Sequence, residues 1–186
     1  KVIPTGKEFG TVTVLTNDES AEVTTYRAEE KYSDGRHPDS VRFAKTIQED
    51  LSRRDFTVNA MAYQLKTGKI FDLYDGQNDL SKKLIRCVGN PVERFTEDGL
   101  RGLRACRFAA KLVFTIEPQT LRGISQTLDT AKRVAVERVR EELVKLMEAT
   151  KPSMGIEYMR ETGLLELWIP ELTATVGVTQ PTNFHP

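Results

Sequence analysis

The 186 residues are 39% hydrophobic and 29% charged, enough apolar material for a packed core and too much for a chain disordered throughout. Lys and Arg together number 27 and Asp and Glu also 27, so no global field advertises a polyanion partner, although a local patch can still bind one. No apolar run approaches the roughly 18 to 20 residues of a membrane helix, nothing resembles a secretory leader, and Cys87 and Cys106 fit neither a disulfide scaffold nor a zinc cluster, so two reduced thiols in a cytoplasmic protein are expected.

The chain opens on Lys1-Val2-Ile3-Pro4 without an initiator Met and closes on Thr182-Asn183-Phe184-His185-Pro186, so a piece of a longer protein is expected. Residues 11–27 read as a hairpin: two stretches rich in β-branched residues flank the polar Asn17-Asp18-Glu19-Ser20 turn. In the second stretch, alternation places Glu22, Thr24 and Tyr26 on one face. Residues 28–45 are polar, with an Asp34-Gly35 turn and Pro38, and predict a long surface loop of a length more often functional than connective. A short helix is expected from Thr57 to Leu65, then a second hairpin around Thr67-Gly68. Beyond Gly76 the pattern turns helical, over about 97–111, 118–128, 137–149 and 153–162, with Gly163 and Pro170 as stops. Residues 82–111 hold 8 basic and 3 acidic side chains, the one local patch suited to phosphate.

Two clusters can carry chemistry. In Arg53-Arg54-Asp55-Phe56-Thr57-Val58-Asn59, a helix would put Asp55 and Asn59 on one face. A carboxylate beside an amide suits a sugar hydroxyl or base edge, and arginines fork onto phosphate oxygens; a capped helix with a surface Arg pair is the plainer alternative. In Glu97-Asp98-Gly99-Leu100-Arg101-Gly102-Leu103-Arg104-Ala105-Cys106-Arg107, helical geometry sets Asp98 and Arg101 about 60° apart, a donor and acceptor set for a base edge. Arg107 points between Leu100 and Leu103 on an apolar face, where it needs an anion: either a carboxylate of the protein or a ligand phosphate. Glu22 is a strand carboxylate of the kind that can ligate a metal, or simply an exposed residue. His37 and His185 are isolated, and Asp72 and Asp75 flank a turn that they are expected to cap.

The stretches DLSRRDFTVNAMAY (50–63), FDLYDGQNDL (71–80) and LIRCVGNPVERFTEDGLRGLRACRFAAKLVF (84–114) strongly resemble bacterial CCA-adding enzymes, tRNA nucleotidyltransferases of the class that includes bacterial poly(A) polymerases. The resemblance implies an α+β fold: a partial, polymerase-β-like mixed-sheet nucleotidyltransferase head over residues 1–86, then an all-helical neck over 87–186. It implies addition of C and A to the tRNA 3′ end from CTP and ATP, with two Mg²⁺ ions, and an A-adding or poly(A) enzyme or a non-catalytic RNA-binding module as alternatives. On its terms Arg54, Asp55 and Asn59 bind the nucleotide's ribose and triphosphate. Asp98 and Arg101, supported by Glu97, read the base, while Arg104 and Arg107 hold the nucleotide. Glu22 matches an acidic strand position near the metals, residues 28–43 resemble a loop that switches the site from C to A, and 137–145 resemble a later neck motif. Two departures stand out. The family's metal-binding Asp-x-Asp pair belongs ahead of Lys1 and no Asp-x-Asp occurs in these residues, so the chain is expected to bind nucleotide better than it catalyses; Val113 also stands where a glycine is common.

Overall fold

A computed structural model describes residues 1–6, 10–17, 19–27 and 43–179; the expected switching loop, apart from Phe43, and both histidines lie outside the described residues. The architecture is α+β, with strands gathered early and helices late, as the periodicities require. Strands β1 (Val2–Gly6), β2 (Thr11–Leu15) and β3 (Ser20–Thr24) form an antiparallel sheet in that order, with Thr13 facing Glu22 and Leu15 facing Ser20. The β2–β3 turn closes through Thr16, whose hydroxyl oxygen accepts the Glu19 N–H at 3.1 Å. Central β2 is half-buried and β3 is exposed along its length, so Glu22 faces solvent.

Helix α1 (Ile47–Ser52) leads into a 3-10 turn at Thr57–Asn59 and then into strand β4 (Met61–Gln64), paired antiparallel with β5 (Lys69–Asp72). The expected helix over 57–65 is therefore a single tight turn, with a strand in its place. Cross-strand pairing of Ala62 with Phe71 and Tyr63 with Ile70 overrides weak local helix preference, while the Thr67-Gly68 reversal lies where it was expected. Asp72 starts helix α2 (Gly76–Ser81) by accepting the N–H groups of Gly76 and Gln77 at 2.7 and 2.9 Å, the capping role its spacing suggested. Burial raises its pKa, but these backbone donors outweigh that and hold the carboxyl below its ordinary value.

The helical half is organised around α4 (Leu100–Leu112), which packs on α7 (Val136–Met147) and α8 (Pro152–Thr162). Leu103, Cys106, Ala109 and Ala110 recur at helical spacing and are buried, and the small residues permit close approach: a Cβ on Gly155 of α8 would lie 3.0 Å from the Cys106 carbonyl oxygen. Leu146, Met159 and Leu164 are fully buried, each contributing about 1.5 to 3 kcal/mol of transfer free energy. The expected helix over 97–111 is present as α4 but starts three residues later, and a further helix that was not expected precedes it. Helix α3 (Pro91–Glu97) ends at Asp98, whose backbone is extended, and α4 starts after Gly99. Gly99 is needed because a Cβ there would meet the backbone of Thr130 and Ala131 at 2.6 to 2.7 Å.

The two halves share one core. Strand β6 (Leu84–Ile85) pairs in parallel with β7 (Thr115–Ile116), and Phe56, Ile85 and Cys87 pack in the same cluster as Leu103, Ile124, Leu146 and Leu164. Desolvation pushes both thiols, Cys87 and Cys106, up to about 12, so they stay protonated at neutral pH.

Val113 ends α4 in the left-handed conformation, φ 55° and ψ 49°, which a β-branched residue tolerates poorly and a glycine adopts without strain. Its side chain is 42% exposed, so little packing is lost with it. Val113→Gly is expected to raise stability by about 1 kcal/mol, read from the midpoint of urea unfolding.

Candidate functional site

Buried Asp50 on α1 anchors two arginines. Its Oδ1 accepts from Arg53 Nη2 at 2.6 Å and from the Arg27 N–H at 3.0 Å, and its Oδ2 accepts from Arg54 Nη2 at 2.8 Å. Burial raises its pKa, but the Arg27 N–H and the two guanidinium groups outweigh that and hold the carboxyl below its ordinary 3.8. The pair is thereby aimed from one carboxylate, an i,i+3 and i,i+4 arrangement visible in the sequence.

Asp55 comes next, on a segment tied to Arg86–Val88: Thr57 N–H donates to the Arg86 carbonyl at 2.9 Å and Val88 N–H to that of Asp55 at 3.1 Å. Its Oδ1 accepts from the Phe56 N–H and from Asn59 Nδ2, at 2.9 and 3.2 Å. Its Oδ2 accepts from both Nε and Nη2 of Arg104, at 2.9 and 2.7 Å, across 49 residues of sequence. Asp55 and Asn59 do lie together, through a 3-10 turn rather than the expected helix face.

Arg101 is 8% exposed, with Nη1 donating to Glu97 at 2.7 Å and to the Arg94 carbonyl at 2.8 Å, and Nη2 donating to the Arg53 carbonyl at 3.4 Å. Asp98 lies in the break between α3 and α4. Its Oδ1 accepts the Leu100 N–H at 3.0 Å and its Oδ2 accepts from Arg138 Nη2 of α7 at 2.9 Å. The single-helix geometry read for Asp98 and Arg101 is thus replaced by a broken one, yet both side chains reach the same cavity.

That cavity is a cleft of about 410 Å³ lined by Arg53, Arg54, Asp55, Asn59, Asp98, Leu100, Arg101, Arg104 and Arg138. Five guanidinium groups against two carboxylates give it a positive lining in a chain of zero net charge. Forked cations suit phosphate oxygens, and Asp98 with Arg101 supplies an acceptor beside a donor for a planar polar edge.

Two residues of the sequence reading are elsewhere. Arg107, 7% exposed, donates Nε to the buried carboxylate Glu142 of α7 and stacks 4.1 Å from the Phe108 ring centroid. Of its two possible anions it has the protein's own, and it does not line the cleft; a buried arginine on an apolar face is neutralised most cheaply by a fixed carboxylate. Glu142 also lies 3.8 Å from Arg104 and 3.5 Å from Lys145. Glu22 does not line the cleft either, being on the exposed strand β3. No group of three or more His, Cys, Asp or Glu side chains able to hold a metal occurs among the described residues.

The sequence reading missed Asp50, Arg138 and Glu142. The spacing of Asp50 to Arg54 could have shown the first, whereas nothing local links Arg138 to Asp98, 40 residues apart.

Residues 1–86 match the family described as the poly A polymerase head domain, and residues 113–175 the one described as the probable RNA and SrmB-binding site of polymerase A. Together the two matches take in most of the chain, which belongs to the poly A polymerase family that they describe. Among its relatives is the CCA-adding enzyme of Limosilactobacillus reuteri, 48% identical over 164 residues that cover 88% of this chain and 40% of the relative. The Bacillus stearothermophilus CCA-adding enzyme, solved in complex with CTP, superimposes with a TM-score of 0.79 at 36% identity, over 88% of this chain and 39% of that one. A CCA-adding enzyme solved with ATP gives 0.74 at 28% identity, over 98% and 40%. The chain spans about two fifths of the length of the curated relatives it matches.

The low pKa of Asp50 has a consequence for stability. The group contributes stability above its unfolded value, and that contribution is lost as pH falls through the depressed folded value. Chemical denaturation followed from pH 7 down to pH 2 is expected to show this loss below about pH 4, and Asp50→Asn to flatten it while costing about 1 to 3 kcal/mol at neutral pH.

Proposed function

We propose that this protein adds C and A nucleotides to the 3′ end of tRNA, using CTP and ATP and no nucleic-acid template, and that it works in the cytoplasm. The observation that carries the reading is the convergence, in one arginine-lined cleft, of a candidate base-reading pair, Asp98 and Arg101, with Arg54, Arg104, Asp55 and Asn59. Cytosine and adenine each present an amine donor next to a ring-nitrogen acceptor, whereas uracil and guanine invert that order. A fixed carboxylate beside a fixed guanidinium matches the first pattern and leaves polar groups unpaired against the second, at about 1 to 3 kcal/mol for each buried group. Arg54 and Arg104 are assigned to the triphosphate, and Asp55 and Asn59 to the sugar side. The names of the relatives, CCA-adding enzymes solved with CTP and with ATP, support the same substrates. We also propose the division into a head of residues 1–86 and a helical neck of 87–186, with the nucleotide at their junction.

The two Mg²⁺ ions that the resemblance implies find no matching donor set among the described residues. Glu22 does not line the cleft and Asp55 is already engaged by Arg104, so the roles proposed for the cleft-lining residues are binding and selection.

A protein that carries these residues together with the metal carboxylates the resemblance implies, incubated with Mg²⁺, CTP, ATP and a tRNA trimmed to its discriminator base, is expected to extend the tRNA by two C and one A. These 186 residues alone are expected to bind nucleotide without extending it. From the longer protein, a long A-tract would point to poly(A) synthesis instead, and nucleotide binding without extension to a non-catalytic module. In the same assay Arg101→Ala is expected to lower the rate at least tenfold and to admit U and G, one lost charge-assisted hydrogen bond corresponding to about 1.5 to 3 kcal/mol. A slower enzyme with unchanged base choice would move base reading to other residues.

A further inference from the structure

The candidate base-reading pair is restrained unequally. Arg101 is fixed by two nearby partners, Glu97 one turn earlier at 2.7 Å and the Arg94 carbonyl at 2.8 Å, with a longer contact at 3.4 Å to the Arg53 carbonyl. Asp98 is the extended residue between two helices, its N–H on the Arg94 carbonyl at 3.5 Å and its own carbonyl accepting the Arg101 N–H at 3.1 Å, so its backbone is placed by the helix ends while its side chain depends on other partners. One of its oxygens is tied to the Leu100 N–H; the other is held, among the described residues, from a different helix, by Arg138 of α7 at 2.9 Å. Arg138 is itself part of the cleft lining, and its side chain and that of Asp98 are each about one-fifth exposed.

We propose that Arg138 is a positioning residue for base selection: by clamping the Asp98 carboxylate it fixes where the cleft offers its acceptor. The inference rests on the assignment of Asp98 and Arg101 to base reading. Its chemistry is that of a discriminating distance. In cytosine and adenine the donor is the exocyclic amine at the outer end of the polar edge; in uracil and guanine it is the imide N–H, one ring atom further in. A carboxylate clamped on the amine position cannot meet the imide hydrogen, whereas one free to turn about its side-chain torsions can follow either. Clamping therefore confers rejection of U and G more than it confers affinity for C and A, which is how a rigid polar site discriminates between near-isosteres. The clamp comes from α7, the helix that also carries Glu142 beneath Arg104 and Arg107, so the position of one helix governs both the acceptor and the cationic wall.

The test is equilibrium binding of CTP, ATP, UTP and GTP to the full protein and to two variants, Arg138→Met, which keeps the length of the side chain and removes the cation, and Arg138→Lys, which keeps a cation. The expected result is that Arg138→Met narrows the preference for CTP and ATP over UTP and GTP by about tenfold, the equivalent of one hydrogen bond, chiefly by improved binding of UTP and GTP. Arg138→Lys is expected to restore most of the preference. A helix that is merely destabilised would weaken all four nucleotides together, and that outcome, or an unchanged ratio in Arg138→Met, overturns the proposal. Equal affinity of the unmodified protein for all four nucleotides would instead overturn the base-reading assignment beneath it, so the two failures are distinct.

Discussion

Arg104 donates two hydrogen bonds to a single oxygen of Asp55, and the shape of the cleft depends on this joint. It ties the central helix of the helical half to a loop of the strand-rich half, and every other lining residue is placed relative to one side or the other. The other oxygen of Asp55 accepts from Asn59 and from the backbone at Phe56, so the carboxylate has no slack with which to turn. The guanidinium is limited in the same way, with Asp55 ahead of it, Glu142 at 3.8 Å behind and the Phe108 ring 5.4 Å to one side. Ion pairs as shielded as this one add little net stability, because desolvation offsets much of the attraction. What they add is direction, since a guanidinium pairs well with a carboxylate in only a few orientations.

The same economy explains how a chain with no net charge presents a positive cleft. The arginines face inward while several of the carboxylates that aim them, Asp50, Glu97 and Glu142, stand behind and outside the lining. A polyanion entering the cleft meets guanidinium groups first, with much of the neutralising charge on the far side. At physiological ionic strength a field of this kind is screened beyond about 8 Å, so its reach is limited to ligands already at the mouth. On the proposed reading, selection inside depends on which hydrogen bonds a base can complete against Asp98 and Arg101, each of which is paired with a charged partner, Arg138 and Glu97.

The longer helices of the second half were legible because their apolar positions recur at helical spacing and some ends carry ordinary signals, Glu117 ahead of Pro118 and Gly163 after Thr162; the short helix Pro91–Glu97 was not expected, although Asn90 ahead of Pro91 marks its start. The β2–β3 hairpin was legible from its β-branched runs. Met61–Gln64 was not, because four residues with mixed propensity become a strand only when Lys69–Asp72 lies alongside. The need for glycine at position 99, beside the extended residue Asp98, was hidden for a related reason: it comes from the backbone of Thr130 and Ala131, which approaches too closely for any side chain.

The sequence by itself determined which residue types were available for the proposed nucleotide and the local pairs that orient them, such as Asp50 with Arg54 and Glu97 with Arg101, because one helical turn brings such residues together whatever surrounds them. It also carried the family, through two motif blocks that the matched families and relatives bear out. The tertiary structure alone decided the allocation of the arginines. Arg104 and Arg107 are three residues apart on one helix, yet one turns to the cleft and Asp55 while the other turns to Glu142, and Arg138 crosses from α7 to Asp98. Each of those pairings joins residues 35 to 49 positions apart, and such a pairing exists only once packing has chosen which helix faces which.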